Sequence, residues 1–194
     1  MNRRIPLAAI CVVLFGLLFL SSCRSSKELS LSLKEENMEN KALIDKFYKA
    51  FAAADYETMA SCYHPEVVFE DPAFGRLQGE RAKKMWEMLL TQSKDSILIR
   101  HSELSADAEK GQAKWVADYK YGDKRRPVHN IVQAQFRFKD GLIIEHRDQF
   151  NLWRWSKQAL GTTGHLLGWS GFFRKKMQQT TNGMLDKYMA KQEK

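Results

Sequence analysis

The sequence predicts an α+β domain: a cone-shaped, curved antiparallel sheet wrapped around N-terminal helices, with an extra C-terminal helix. Three observations carry that prediction. Apolar residues recur at helical spacing from Lys41 onward. After Ser93 the period changes from helical to alternating and stays so for about sixty residues. Within that alternating stretch Asp140-Gly141 separates two runs, a strong hairpin signal. Helices placed ahead of a meandering sheet leave an interior between the layers, and such interiors hold small molecules.

The elements come in this order. Leu43, Ile44, Phe47, Phe51 and Met59 recur near i, i+4 and i+8, and Ala50, Ala52, Ala53 and Ala54 favour helix. Asp55 begins a shorter helix through about Tyr63, ended by His64-Pro65 because the residue before proline avoids the helical region. Val67 to Asp71 reads as a short strand, turned by Pro72 and Gly75. A helix from Glu80 to about Gln92 carries Met85, Met88 and Leu89 as its apolar stripe, with Trp86 beside it. Strands are expected at about 96–104, 112–121, 127–139 and 142–153, and a final helix from about Gly171 to Ala190.

Ahead of this body the first 23 residues have three parts. Arg3 and Arg4 give a positive start, Ile5 to Leu20 is apolar and uncharged, and Leu20-Ser21-Ser22-Cys23 comes next. The apolar run is short for a membrane span and has signal-peptide geometry. Its ending resembles the bacterial lipobox, which implies cleavage before Cys23 and lipidation of that thiol. Arg24 at the next position implies an outer-membrane destination, facing the periplasm in the cell envelope. Residues 24–40 are polar and read as a tether. The organisation expected is therefore 1–22 signal peptide, 23–40 lipid-anchored tether, 41–155 cone domain and 156–194 basic helical extension.

Charge is uneven. The chain carries a formal +8, yet residues 23–153 hold 21 basic and 21 acidic side chains. From Arg154 to Lys194 there are eight basic residues against Asp186 and Glu193. That extension suits either a solvated helix face or an anionic membrane surface. Nucleic acid is excluded as a partner, since Lys124-Arg125-Arg126 is only a short turn cluster. With Cys11 in the signal and Cys23 lipidated, Cys62 stands alone and is expected to be a small buried apolar residue.

Strand parity selects the candidate site. In the last strand Leu142, Ile144, His146, Asp148, Phe150 and Leu152 form the more apolar set, so His146 and Asp148 face the core about 7 Å apart. In the preceding strand Val128, Asn130, Val132, Ala134, Phe136 and Phe138 share a face, and His129 lies on the opposite one. Asp71 shares a face with Val67 and Phe69. Asp71, Asn130, His146 and Asp148 are thus expected to converge. A carboxylate in apolar surroundings gains proton affinity, and a histidine beside a carboxylate is held ready for proton transfer. The other reading is a hydrogen-bonded network that only satisfies its own members. No metal motif, P-loop, dinucleotide fingerprint or nucleophile elbow is present, so no metal or cofactor is expected.

These residues also resemble a known family. Phe47-Tyr48 with Ala54-Asp55, His64-Pro65 leading to Phe69-Glu70-Asp71-Pro72, Val128-His129-Asn130, and Ile144-Glu145-His146-Arg147-Asp148 are similar to the nuclear transport factor 2-like superfamily, in its SnoaL-like, ketosteroid-isomerase-related branch. The resemblance covers roughly residues 40–190. It implies a cone lined by Phe47, Tyr48, Phe69, Asn130, Ala134 and Phe136, with Asp71 in the place of the isomerases' general base. It also implies two departures. Phe47 stands where the isomerases have an oxyanion-hole tyrosine, Tyr48 being rotated about 100° away on the helix. Ala134 stands where they have a protonated aspartic acid. Without those donors steroid isomerisation is not expected. Two readings stay open: a membrane-anchored domain binding a small hydrophobic molecule, with Asp71, His146 and Asp148 as anchors or acid–base groups, or a non-catalytic envelope module that dimerises through its open sheet face.

Overall fold

A computed structural model describes residues 7–93 and 97–192, with side chains from residue 27 onward. Among the described residues six helices and six strands form a mixed α+β fold. Helices α1 (Leu7–Ala52) and α2 (Tyr56–Ser61) come first, then strands β1 (Tyr63–Asp71) and β2 (Gly75–Gln78), and helix α3 (Glu80–Ser93). Strands β3 (Ile97–Ala106), β4 (Lys110–Tyr121), β5 (Arg126–Lys139) and β6 (Leu142–Phe150) come after it. Helices α4 (Leu152–Leu160), α5 (Thr162–Leu167) and α6 (Gly171–Gln192) end the chain. The sheet runs β2-β1-β6-β5-β4-β3. All its pairings are antiparallel except β1 with β6, which is parallel.

The sheet is open and curved, and its curvature has identifiable sources. Register shifts interrupt three of the pairings, between Ser102 and Ser105, between Arg137 and Phe138, and between Tyr63 and Val68. Each such bulge bends its strand and increases the twist. The concave face holds one core in which Ile44, Phe47 and Tyr48 of α1, Met85, Trp86 and Met88 of α3, and Val132, Ala134 and Phe136 of β5 are all buried. The β5–β6 turn forms as expected, with positive φ at Asp140 (52°) and Gly141 (71°). Both central residues of such a two-residue hairpin must adopt that left-handed conformation.

Several expectations are corrected. Helix α1 runs through the backbone of the polar segment 24–40, where a tether is expected. No Gly or Pro occurs between residues 24 and 40 to interrupt the helix there. Tyr63 does not end α2; it opens β1, faces the core, and β1 is longer than the Val67 start suggested. Strand β2 was not anticipated, being four residues between two turns. The last strand stops at Phe150, because the Asn151 side chain accepts a hydrogen bond from Arg154 N–H (2.8 Å) and caps α4. Residue 155, where the cone domain was expected to end, lies inside that helix. Strand parity also fails locally. The bulge in β6 places Ile143 in the core and leaves Leu142 and Ile144 half-buried, while His146 and Asp148 keep the inward face.

Helix α6 closes over the β1–β2 turn and α3. Thr181 and Asn182 side chains donate to the carbonyl oxygens of Ala73 (2.8 Å) and Phe74 (2.8 Å). Arg81 pairs with Asp186 at 2.6 Å, and Tyr188 and Gln192 donate to Glu87. Leu185, on the inner face of α6, is fully buried. Cys62 is buried as expected, its thiol pushed up by burial.

Candidate active site

A chain of hydrogen bonds crosses the core. The Trp86 indole N–H donates to Tyr63 Oη (2.9 Å), and Tyr63 Oη lies 2.7 Å from His146 Nδ1. His146 Nε2 is 3.0 Å from Asp148 Oδ1, which also receives the Trp115 indole N–H at 3.1 Å. An indole nitrogen only donates, so Tyr63 accepts from Trp86. A carboxylate only accepts, so His146 donates from Nε2 to Asp148, and in the singly protonated ring Nδ1 is then the acceptor of the Tyr63 O–H. The imidazole is caged by Phe136 at 4.4 Å, Phe69 at 5.2 Å and Phe47 at 5.4 Å between ring centres, with Trp86 stacked at 6.1 Å.

Asp71 lies at the end of β1, level with Asp148: each is one residue past the Glu70–Arg147 pair of the parallel β1–β6 ladder. Its Oδ1 accepts backbone N–H bonds from Ala73 (3.0 Å) and Phe74 (2.6 Å). Asp71 is half-buried. Burial pushes its pKa up to about 7, and the nearby Asp148 adds to the rise against the opposing pull of those N–H donors.

Tyr48 is fully buried, and its hydroxyl has no hydrogen-bond partner among the described residues. Burial, with the charge of Asp148, pushes its phenol well above the usual range. The ring stacks on His101 at 5.3 Å between centres. Ala134 is buried directly across the ladder from Asp148, and Phe136 across from His146.

The structure thus brings together Asp71, His146 and Asp148, with Phe47, Tyr48, Phe69, Ala134 and Phe136 around them. Asn130 is not among them. It is half-buried and paired with Ala117, four residues along β5 from Ala134, which is about 13 Å at strand spacing. His129 is outward, 2.6 Å from Asp118. Tyr63, Trp86 and Trp115 were missed. The alternation of Ala113, Trp115 and Ala117 could have marked Trp115 as inward, but nothing local marks Tyr63. Among the described residues no cluster of three or more His, Cys, Asp or Glu side chains has the geometry to hold a metal ion.

The raised Asp71 affinity has a signed consequence for stability. A carboxyl whose folded pKa exceeds its unfolded value near 4 stabilises the fold fully below that value. The contribution is lost as pH rises through about 7. Asp71→Asn keeps an oxygen for the Ala73 and Phe74 N–H groups and removes the ionisation. Between pH 4 and 8 the wild type is expected to lose on the order of 3 kcal/mol relative to this variant. Parallel urea titrations across that range would measure it, and identical pH slopes would show a solvated Asp71.

Residues 44–146 match the family model of the SnoaL-like domain, and the chain belongs to that family. No curated protein matches it. Solved structures share the fold. A candidate polyketide cyclase from Xanthomonas campestris pv. campestris superposes with a TM-score of 0.53 at 19% identity, covering 63% of this chain and 98% of that one. An LEH-like epoxide hydrolase of M. tuberculosis gives 0.52 at 22% identity, covering 68% and 96%. SalBIII, an epoxide hydrolase/cyclase-like enzyme of pyran ring formation in the polyether salinomycin, gives 0.52 at 14% identity, covering 58% and 91%. At these identities the likeness establishes the fold.

Proposed function

We propose that the cone of this SnoaL-like domain takes a small hydrophobic molecule and performs acid–base chemistry on it, with Asp71 as the group that exchanges the proton. The carrying observation is the placement of the Asp71 carboxyl level with the Asp148 end of the Tyr63–His146–Asp148 chain, where burial pushes its pKa up to about 7. Near pH 7 both forms of Asp71 are populated, so it can accept a proton from a substrate or supply one. His146, held through both ring nitrogens, is the positioning element for Asp148. The apolar cage supplies the low-dielectric surroundings in which such groups act strongly. An epoxide hydrolase and an epoxide hydrolase/cyclase-like enzyme of pyran ring formation share this fold, which supports a proton-transfer role.

Helix α6 lies over the turn that holds Asp71. The second reading, a non-catalytic module, draws on the same burial: His146 already has both nitrogens paired and is 1% exposed. We further infer export and attachment of Cys23 to lipid at the cell envelope, on the outer membrane facing the periplasm. The order of Arg3-Arg4, the apolar run and Leu20-Ser21-Ser22-Cys23 supports that reading, and the Cys23 side chain lies outside the described residues.

One preparation tests both readings separately. The chain is recovered from its own host with detergent and studied by native and then denaturing mass spectrometry. A diacylglycerol adduct on an N-terminal Cys23 is expected; an intact unmodified N-terminus would overturn the anchor alone. A co-purifying apolar molecule is expected, and Asp71→Asn should lower its turnover by about a hundredfold or more while binding persists. Unchanged turnover by that variant would overturn the catalytic reading.

A further inference from the structure

The C-terminal helices lie beyond the family match and carry a surface that the interior chemistry does not use. Helix α5 is amphipathic in the reverse sense. Its inward face is Gly164, packed on Ser156 of α4 together with Gly168 of the following turn, so close that an added Cβ would lie 1.9 and 1.8 Å from Ser156 atoms. Its outward face is Leu166 and Leu167. Leu166 is 63% exposed, and the adjoining Trp169 and Phe172 are 72% and 73% exposed.

These side chains are held outward by a rigid platform. Ser156 Oγ donates to the Gly164 carbonyl (3.1 Å), the Trp153 indole to that of His165 (3.1 Å), and the Trp169 indole to that of Leu166 (3.0 Å). Four large apolar side chains exposed within seven residues of an otherwise well-packed domain mark an interaction site.

Charge selects the partner. From Asn151 to Leu185 the chain has five basic residues (Arg154, Lys157, Arg174, Lys175 and Lys176) and no acidic one. Arg154, Arg174, Lys175 and Lys176 are exposed, and Lys157 sits 4.2 Å over the Trp153 ring. Exposed tryptophan and leucine flanked in sequence by cations match the boundary between acyl chains and anionic headgroups, where indoles and basic side chains both gain. An acidic protein partner would satisfy the cations but not the four exposed apolar side chains of the same segment.

We propose that the α5–α6 elbow docks on an anionic phospholipid surface, with Leu166, Trp169 and Phe172 entering the interface and Arg174, Lys175 and Lys176 meeting the headgroups. The contact is separate from any lipid on Cys23, and it would fix which way the cone faces the membrane.

The test reads that segment alone. The full chain is mixed with vesicles of phosphatidylcholine, or of phosphatidylcholine with phosphatidylglycerol, and amide hydrogen exchange is tracked over residues 162–176. Exchange there should slow about tenfold or more with the anionic vesicles only, since each cation near such a surface contributes favourably. The protection should vanish with Lys175→Glu plus Lys176→Glu, with Trp169→Ser plus Phe172→Ser, and at high salt. Equal exchange in both vesicles would overturn the proposal, as would protection that rises with protein concentration without lipid, which would identify a second copy as the occupant.

Discussion

His146→Ala is expected to lower unfolding stability by about 4 kcal/mol, combining a large-to-small core substitution with the loss of buried hydrogen bonds. The imidazole links Tyr63 to Asp148 at 2.7 and 3.0 Å and fills the space between Phe69 and Phe136. Its removal leaves the Tyr63 O–H without its acceptor and the Asp148 carboxylate with one donor fewer, both in the core. His129→Ala is the internal control. That histidine also has a carboxylate partner, Asp118 at 2.6 Å, but it stands exposed, where such pairs contribute about 0–1 kcal/mol. Urea denaturation of the two variants therefore separates burial from pairing. Equal losses would mean that the interior is hydrated, and the chain of bonds through His146 would then contribute nothing to holding the cone together.

The second large effect comes from a glycine. In Gly164→Ala the new Cβ would lie 1.9 Å from the Ser156 carbonyl oxygen and 2.3 Å from its carbon, backbone atoms that no rotamer change can move. Overpacking of this kind costs about 3 kcal/mol or more, enough to part α5 from α4. Gly183→Ala in α6 is the matched opposite. Nothing lies within 4 Å of its added Cβ, so helix propensity governs and a gain of about 0.5–1 kcal/mol is expected. Thermal unfolding with limited proteolysis of the 151–170 segment would measure both. A neutral Gly164→Ala would show that α4 and α5 do not pack as closely as the structure has them, and the platform under Leu166 and Trp169 would lose its support.

Burial has opposite consequences at the two inward groups. At His146 it makes a paired group costly to remove. At Asp71 it raises the proton affinity of a carboxyl that the backbone of the β1–β2 turn holds in place. A site able to move protons needs the second kind of group and uses the first to keep it in register. Asp71 and Asp148 stand level because β1 and β6 run parallel.

Sequence by itself determined the local periods and their direct consequences. The helical period of Ile44, Phe47 and Phe51, the alternation through β3 to β6, and the Asp140-Gly141 turn are each set by residues a few positions apart. Two-residue parity likewise placed His146, Asp148, Ala134 and Phe136 inward. Parity misplaced Leu142 and Ile144 because the β6 bulge adds a residue that no local signal announces. Asn130 had the right parity but the wrong height, since parity gives the face and not the position along it. Only the tertiary structure could bring Tyr63, Trp86 and Trp115 to His146 and Asp148, because they come from three elements whose meeting depends on sheet order. The same holds at the C-terminus: Leu166, Trp169 and Phe172 read as ordinary apolar residues until Gly164 and Gly168 occupy the contact with Ser156 and leave them facing outward. Spacing along a chain constrains neighbours within a turn or a strand, whereas contacts across the core are decided by how whole elements pack.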